Sequence, residues 1–234
     1  MAAHAHVKSI VEDKELVAKR RAQLVEAAIA RFSELGYHST TVKDIAVAAG
    51  VSPGLVYQYV PDKQDLLFLC LLHIAERIRS ELGAAMEGVT DPLSRFKNAI
   101  EAYAKAIDTD RKALLLTYRE TKSLRPEWIE HMKKTEMESV GLVSRCIDEC
   151  VAAGYLAPGH TELLAYRIMF TAHAWGLKNW RLRAIVTFQQ YIEYAIHACW
   201  TPLLTPAGKR HYEQLRGLQA APSRAAAPAR RRRQ

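Results

Sequence analysis

No apolar run in the 234 residues approaches the ~18 that a membrane span requires, and the N-terminus has no apolar core of a secretion signal. These two absences exclude membrane integration and point to the cytoplasm. Cysteine is scarce: Cys70, Cys146, Cys150 and Cys199 all sit in apolar, helix-like surroundings, which excludes a disulfide framework and suggests reduced, packed thiols. No segment alternates as a strand does, and no internal repeat is present. The enzyme motifs are also missing. There is no phosphate-cradling glycine loop, no G-x-S-x-G and no H-E-x-x-H, so nothing calls for catalysis, a cofactor or a metal.

The net charge of +8 suggests nucleic acid until its distribution is read. Residues 1–86 are neutral overall, residues 87–204 carry +1, and residues 205–234 carry +7. The basic excess therefore belongs to a tail ending "APSRAAAPARRRRQ", whose Ala, Pro and Arg content is that of a disordered segment. Such a tail serves either as a salt-sensitive DNA anchor or as a solubilising end. Any DNA-binding role must rest on local geometry elsewhere.

Helical punctuation is abundant. The first fifteen residues lack a pattern and read as a flexible arm. Leu24, Ala27, Ala28, Ile29, Phe32 and Leu35 then form a 3.6-period stripe ended by Gly36. Thr41 with Asp44 fits a capping box, and Gly50 ends a helix of about two turns. Ser52-Pro53 opens the next helix, Asp62 with Asp65 caps a fourth running to about Met86, and Asp91-Pro92 opens a fifth. Further helices are expected over Leu114–Ser123, Pro126–Ala153, Thr161–Arg183 and Thr187–Trp200. The fold class is all-α, with about nine helices.

Two short helices joined by Gly50-Val51-Ser52 form a helix-turn-helix, whose second helix can enter a DNA major groove. Ile45, Ala46, Ala49, Val51 and Val56 supply its small core. Thr40, Thr41, Ser52, Pro53, Gly54, Leu55, Tyr57, Gln58 and Tyr59 are then expected to face outward, with hydroxyls and helix N-terminal N–H groups for phosphates and an amide for a base edge.

Residues 20–69 resemble the TetR (TetR/AcrR) family of bacterial transcriptional regulators. The resemblance is carried by Phe32, Gly36, Tyr37, Thr40, Thr41, Val42, Ile45, Ala46, Ala49, Gly50, Val51, Ser52, Gly54, Tyr57, Tyr59, Lys63 and Leu66, with Val60 standing where the family has an aromatic. It implies a three-helix DNA-binding domain over 16–62 and a larger helical ligand-binding and dimerisation domain over 63–204, lying between the flexible arm over 1–15 and the basic tail over 205–234 that composition marks off. It implies phosphate contacts from Thr40, Thr41, Ser52, Tyr57, Tyr59 and Lys63, and base contacts from Pro53, Gly54, Leu55 and Gln58. Gln58 alone among these can pair bidentately with adenine, while Leu55 can meet a thymine methyl or belong to the core. It also implies a homodimer that is released from double-stranded operator DNA by an effector, the behaviour of a repressor. The alternative is a helical ligand-binding protein or enzyme whose N-terminal motif no longer binds DNA.

Two stretches offer candidate effector contacts. "LLLTYRETKSL" contributes Tyr118 and Arg119, and "TAHAWGLKNWRLR" contributes His173, Trp175 and Asn179; Trp128 and Met132 on the long helix between them complete the set. The competing reading leaves the charges on the surface and the tryptophans in the core. An apolar effector is expected, of acyl or acyl-CoA type by family analogy, or aromatic. Cys146 and Cys150 lie one helical turn apart without a histidine at ligand spacing, and a packed thiol pair is favoured over a metal clamp.

Overall fold

The computed structural model describes residues 7–220, and all statements of absence below refer to these. It contains eleven α-helices, two more than the sequence leads one to expect. The first four are α1 (Lys14–Leu35), α2 (Val42–Ala48), α3 (Pro53–Tyr59) and α4 (Lys63–Met86). Their ends are set locally. Thr41 and Asp44 form a reciprocal capping box, Ser52 Oγ accepts from the Leu55 N–H, and Asp62 accepts from the Asp65 N–H. Gly50, with φ 68°, lets the Val51 N–H reach back to the Ala46 carbonyl and turns the chain from α2 into α3.

The body comprises α5 (Pro92–Thr109), α6 (Arg111–Glu120), α7 (Pro126–Ala152) and α8 (Thr161–Leu177), followed by the short turn α9 (Asn179–Leu182). The expected helix over 161–183 thus breaks at Lys178. Next comes α10 (Phe188–Tyr191), which widens into a π turn over Ile192–Ile196 and tightens into a 3-10 turn over His197–Cys199. No strand is present, and no helix is long and apolar enough to cross a membrane.

Two apolar clusters hold the chain together. One gathers α1–α3, the first three turns of α4, and Ala113, Leu116, Leu124 and Met132 from α6, its C-terminal turn and α7. The other is built from α5, α7, α8 and α10 around Phe96 and Trp200. Ile78 on α4 touches both, so α4 is a shared beam.

Both termini depart from expectation. Residues 7–13 are not a free arm: Val7 is buried, the Ile10 N–H and Ser9 Oγ donate to the Gln58 carbonyl, and the Arg21 guanidinium holds the carbonyls of Val7 and Lys8. At the other end, α11 (Pro206–Ala220) replaces the disorder expected from residue 205. Thr205 caps it through the Gly208 N–H, the same cap-then-proline logic as at Ser52-Pro53. Tyr212 is buried edge-on against Trp200, with ring centroids 5.2 Å apart. The Arg-rich run expected to act as a tail lies outside the described residues.

Gly208 is where α11 can be tested. A Cβ there would stand 2.0 Å from the Tyr155 carbonyl oxygen, which is main chain and cannot rotate away. Gly208→Ala is therefore expected to cost about 1–3 kcal/mol as overpacking and to release α11. Differential scanning calorimetry with limited proteolysis checks this. An unchanged melting temperature with α11 still protected would show that the docking is not tight.

Candidate DNA interface and effector cavity

The outer face of α3 is open. Thr41, Ser52, Pro53, Gly54, Tyr57 and Gln58 are exposed, and Tyr57 presents 48% of its surface. The α3 N-terminus brings the Gly54 N–H and a positive dipole end to the same face, Pro53 having no N–H and the Leu55 N–H being taken by Ser52. Gly54 carries no bulk, and nothing lies within 4 Å of where its Cβ would be. Leu55 is half-buried against the small core, so one edge remains available to a base. Asp44 is held below its ordinary pKa by hydrogen bonds from Thr41, which ties the Thr41 hydroxyl to the α2 cap.

Two expected contacts point the wrong way. Thr40 is fully buried, and its hydroxyl donates to the Gly36 carbonyl at 2.8 Å, closing the end of α1. Tyr59 is 4% exposed and packs inward, because it lies one turn after the core residue Val56. Lys63 is half-buried, with its Nζ 4.4 Å over the Tyr37 ring and donating to the His38 carbonyl; burial lowers its pKa. Val60, in place of the family aromatic, is buried in the core beneath α3.

Below this unit, α4 is pinned at its first turn. Arg125, at the N-cap of α7, pairs with Asp62 and with Asp65, the latter at 2.6 Å. Trp128 Nε1 also donates to Asp65 at 3.1 Å, while its ring stacks on Phe68. Against the cost of burial, the two carboxylates raise the Arg125 pKa, Asp65 more than Asp62. Gln64 adds a hydrogen bond to the Ser123 carbonyl.

A cavity of about 400 Å³ lies where α4, α5, α6, α7 and α8 converge. Its α4 wall is Leu71, Ile74, Ala75 and Ile78, and Met132, Met169 and Phe170 close other sides. The size and the mostly apolar lining are those of a small-molecule site. Of the expected effector contacts, Tyr118, Met132 and His173 line it. Trp128 is committed to Asp65 and Phe68. Trp175 is buried, donates to Asp108 at 2.7 Å and packs beside Tyr191, so it is a core residue. Arg119 is exposed and Asn179 opens the short turn α9 after the break at Lys178; neither lines the cavity.

At the cavity, His173 lies between two phenols. Its Nε2 meets the Tyr103 hydroxyl, and its Nδ1 lies 2.8 Å from the Tyr118 hydroxyl. Burial lowers the His173 pKa to about 4, so the ring is neutral at physiological pH. Tyr103 is absent from the sequence-based set because it sits on the apolar stripe of α5. Only the tertiary fold brings it to a histidine 70 residues away.

These two features, an open reading helix and a walled cavity joined by one helix, meet their counterparts in known proteins. Residues 24–70 match the family model for bacterial regulatory proteins of the tetR family, and residues 89–180 match that for the tetracyclin repressor-like C-terminal domain. The HTH-type transcriptional regulator HbdR of Aromatoleum sp. (strain CIB) is 39% identical over 209 residues, covering 89% of this chain and 91% of that protein. The chain belongs to the TetR family. It is a DNA-binding transcriptional regulator. A more distant relative is the HTH-type transcriptional repressor KstR2 of Mycobacterium tuberculosis, 26% identical over 75% of this chain and 90% of its own length. Among solved structures, the fatty acid degradation regulator FadR from Bacillus halodurans superposes with a TM-score of 0.66 at 22% identity, covering 77% of this chain and 94% of that chain. That likeness speaks for the TetR fold alone.

The cysteines play no part in either feature. All four are free and buried, and burial pushes the thiols of Cys146 and Cys150 up to about 11 and about 12. Cys146 faces Met86 Sδ and Cys150 donates to the Pro92 carbonyl, contacts of packing rather than of metal binding.

Proposed function

We propose that this TetR-family regulator is a homodimeric repressor that leaves its operator when a small apolar molecule, acyl or aromatic, fills the cavity. The observation that carries the reading is the double use of α4. Its first turn follows α3 directly and is clamped by Arg125, while Leu71, Ile74, Ala75 and Ile78 of the same helix form a cavity wall. An occupant that displaces this wall must move α3, and in a dimer it alters the spacing of the two reading helices. A tenfold loss of operator affinity needs only about 1.4 kcal/mol of coupling. Residues 16–62 then serve as the reading unit and 63–204 as the sensing and dimerising unit. Thr41, Ser52, Pro53, Gly54, Leu55, Tyr57, Gln58 and Lys63 remain the proposed DNA contacts, with Thr40 and Tyr59 withdrawn.

Dimerisation is supported by surface that no intramolecular packing covers. Ala165, Ile168, Ala172, Ile192 and Ile196 are spent on the internal core, whereas Leu163 on α8 and Tyr194 in the π turn after α10 are 67% and 74% exposed. Two-fold pairing across this face gives two reading helices and a doubled site.

Fluorescence anisotropy with DNA from the upstream region of its own gene, at ~150 mM salt where non-specific contacts are weakened, tests the reading. Preference over scrambled DNA, with two protomers bound per site, is expected. In the same assay Gln58→Ala should relax preference at one base pair by about 1–3 kcal/mol. Equal binding to scrambled DNA would defeat the proposal.

A further inference from the structure

The lining hydroxyls of the cavity divide into spent and unspent. Thr117, Thr121 and Ser139 each donate to the carbonyl four residues earlier in their own chain, at 3.0, 2.7 and 3.2 Å. The Tyr103–His173–Tyr118 chain is different. A neutral imidazole has one N–H and one bare nitrogen. One tyrosine must therefore donate to the ring, and the other must accept from it, which leaves the second tyrosine's own proton without a protein acceptor among the described residues. Tyr103 is 5% exposed, and stranding its proton there would cost the desolvation of a buried donor. The favoured arrangement has Tyr103 donating to Nε2 and the Nδ1–H donating to Tyr118. The unspent O–H is then that of Tyr118, which is 46% exposed and lines the cavity.

The charges around the cavity complete the picture. Lys133 and Glu136 are the charged groups that line it. Lys133 is paired with Glu130 at 2.6 Å, while Glu136 makes no ion pair among the described residues and raises the pKa of both Tyr103 and Tyr118, in each case after burial itself. No unengaged cation faces the space.

We propose that the cavity selects ligands whose inward polar group is an uncharged oxygen acceptor, such as an ester, thioester, ketone or hydroxyl oxygen, read by the Tyr118 hydroxyl at the end of the Tyr103–His173–Tyr118 relay, and that it rejects carboxylates. This rests on the reading of the cavity as the effector site and narrows the effector class. A carbonyl oxygen accepts the one spare proton. A carboxylate would enter a site with a neutral histidine and a negative neighbour, and would leave its charge unpaired. A pure hydrocarbon would cover the Tyr118 hydroxyl without partnering it.

Isothermal titration calorimetry of the full-length protein at pH 7.5 with methyl 2-naphthoate, 2-naphthoate and 2-methylnaphthalene distinguishes these cases. The ester is expected to bind at least tenfold more tightly than either of the others. Tyr118→Phe should bring the ester down to the hydrocarbon's affinity while leaving the hydrocarbon within twofold. Ala75→Trp, which fills the cavity, should abolish binding of all three while the circular dichroism spectrum and a cooperative thermal melt show that the fold persists. If 2-naphthoate binds as tightly as its ester, or if Tyr118→Phe leaves the ester's advantage intact, the selectivity proposal is overturned and the cavity remains the site. If no probe binds, or if binding is unaffected by Ala75→Trp, the cavity is not the effector site and both readings fall.

Discussion

Gly54→Asp is expected to reduce operator affinity at least a hundredfold, about 2.7 kcal/mol, without loss of fold. The position is in the first turn of α3, exposed, with open space where a Cβ would stand and without the positive φ that would strain a side chain. An aspartate near a helix N-terminus is favourable by ~0.3–1 kcal/mol, so the free protein should melt at the same temperature or slightly higher. On DNA the balance reverses. The carboxylate occupies the gap through which the backbone approaches, it neutralises the dipole end offered to phosphates, and it faces one negative charge per ~1.7 Å of duplex. The proposed dimer would meet the penalty twice. Gly54→Ala separates bulk from charge, and its loss should be the smaller of the two. Anisotropy titrations paired with thermal melts check both halves. Retention of affinity within threefold for Gly54→Asp would place the DNA elsewhere on the molecule.

The parts of this architecture that were legible in the sequence are those fixed by neighbours a few residues apart. Thr41 with Asp44, Ser52 with Pro53, and Asp62 with Asp65 are local chemistry, and α2, α3 and α4 begin where those residues place them. The orientation of Tyr59 was also present in the spacing, since it follows Val56 by three and so shares its buried face. Its hydroxyl is of a kind that can contact phosphate, but a tyrosine ring is large enough to belong to a core whatever its tip can do. Thr205-Pro206 repeated the punctuation of the earlier helices, yet the basic composition beyond it masked the signal. What the sequence could not show is what distant partners decide. Trp128 and Trp175 looked like pocket aromatics until Asp65 and Asp108, each more than sixty residues away, took their N–H groups. The docking of residues 7–13 depends on Arg21 reaching backbone carbonyls that have no sequence signature.

Asp65 is where stability and signalling should be most strongly joined. It is 5% exposed, holds Arg125 at 2.6 Å and accepts from Trp128 at 3.1 Å. Asp65→Ala leaves the indole N–H without its acceptor and Arg125 with Asp62 alone. Breaking a fully buried pair costs about 3–5 kcal/mol, but the Arg125 side chain is 32% exposed and water can recover part of that. A loss of about 2–3 kcal/mol is therefore expected, equivalent at ~2–4 °C per kcal/mol for a chain of this size to a fall of about 4–12 °C in melting temperature. Asp65→Asn keeps an acceptor for Trp128 and should lose less. The functional consequence follows from position: the clamp is how the body of the protein grips the start of α4, immediately after the reading helix. With the grip removed, a cavity ligand that displaces the wild-type protein from DNA should lose at least tenfold of that effect, because α4 has lost the fixed point about which displacement of its wall tilts the helix and α3 with it. Arg125→Ala should weaken coupling in the same direction, and the double variant should add little to either, as expected for residues sharing one interaction. Wild-type ligand sensitivity in Asp65→Ala and Arg125→Ala alike would mean that the signal travels through α6 and its contacts with α1 instead.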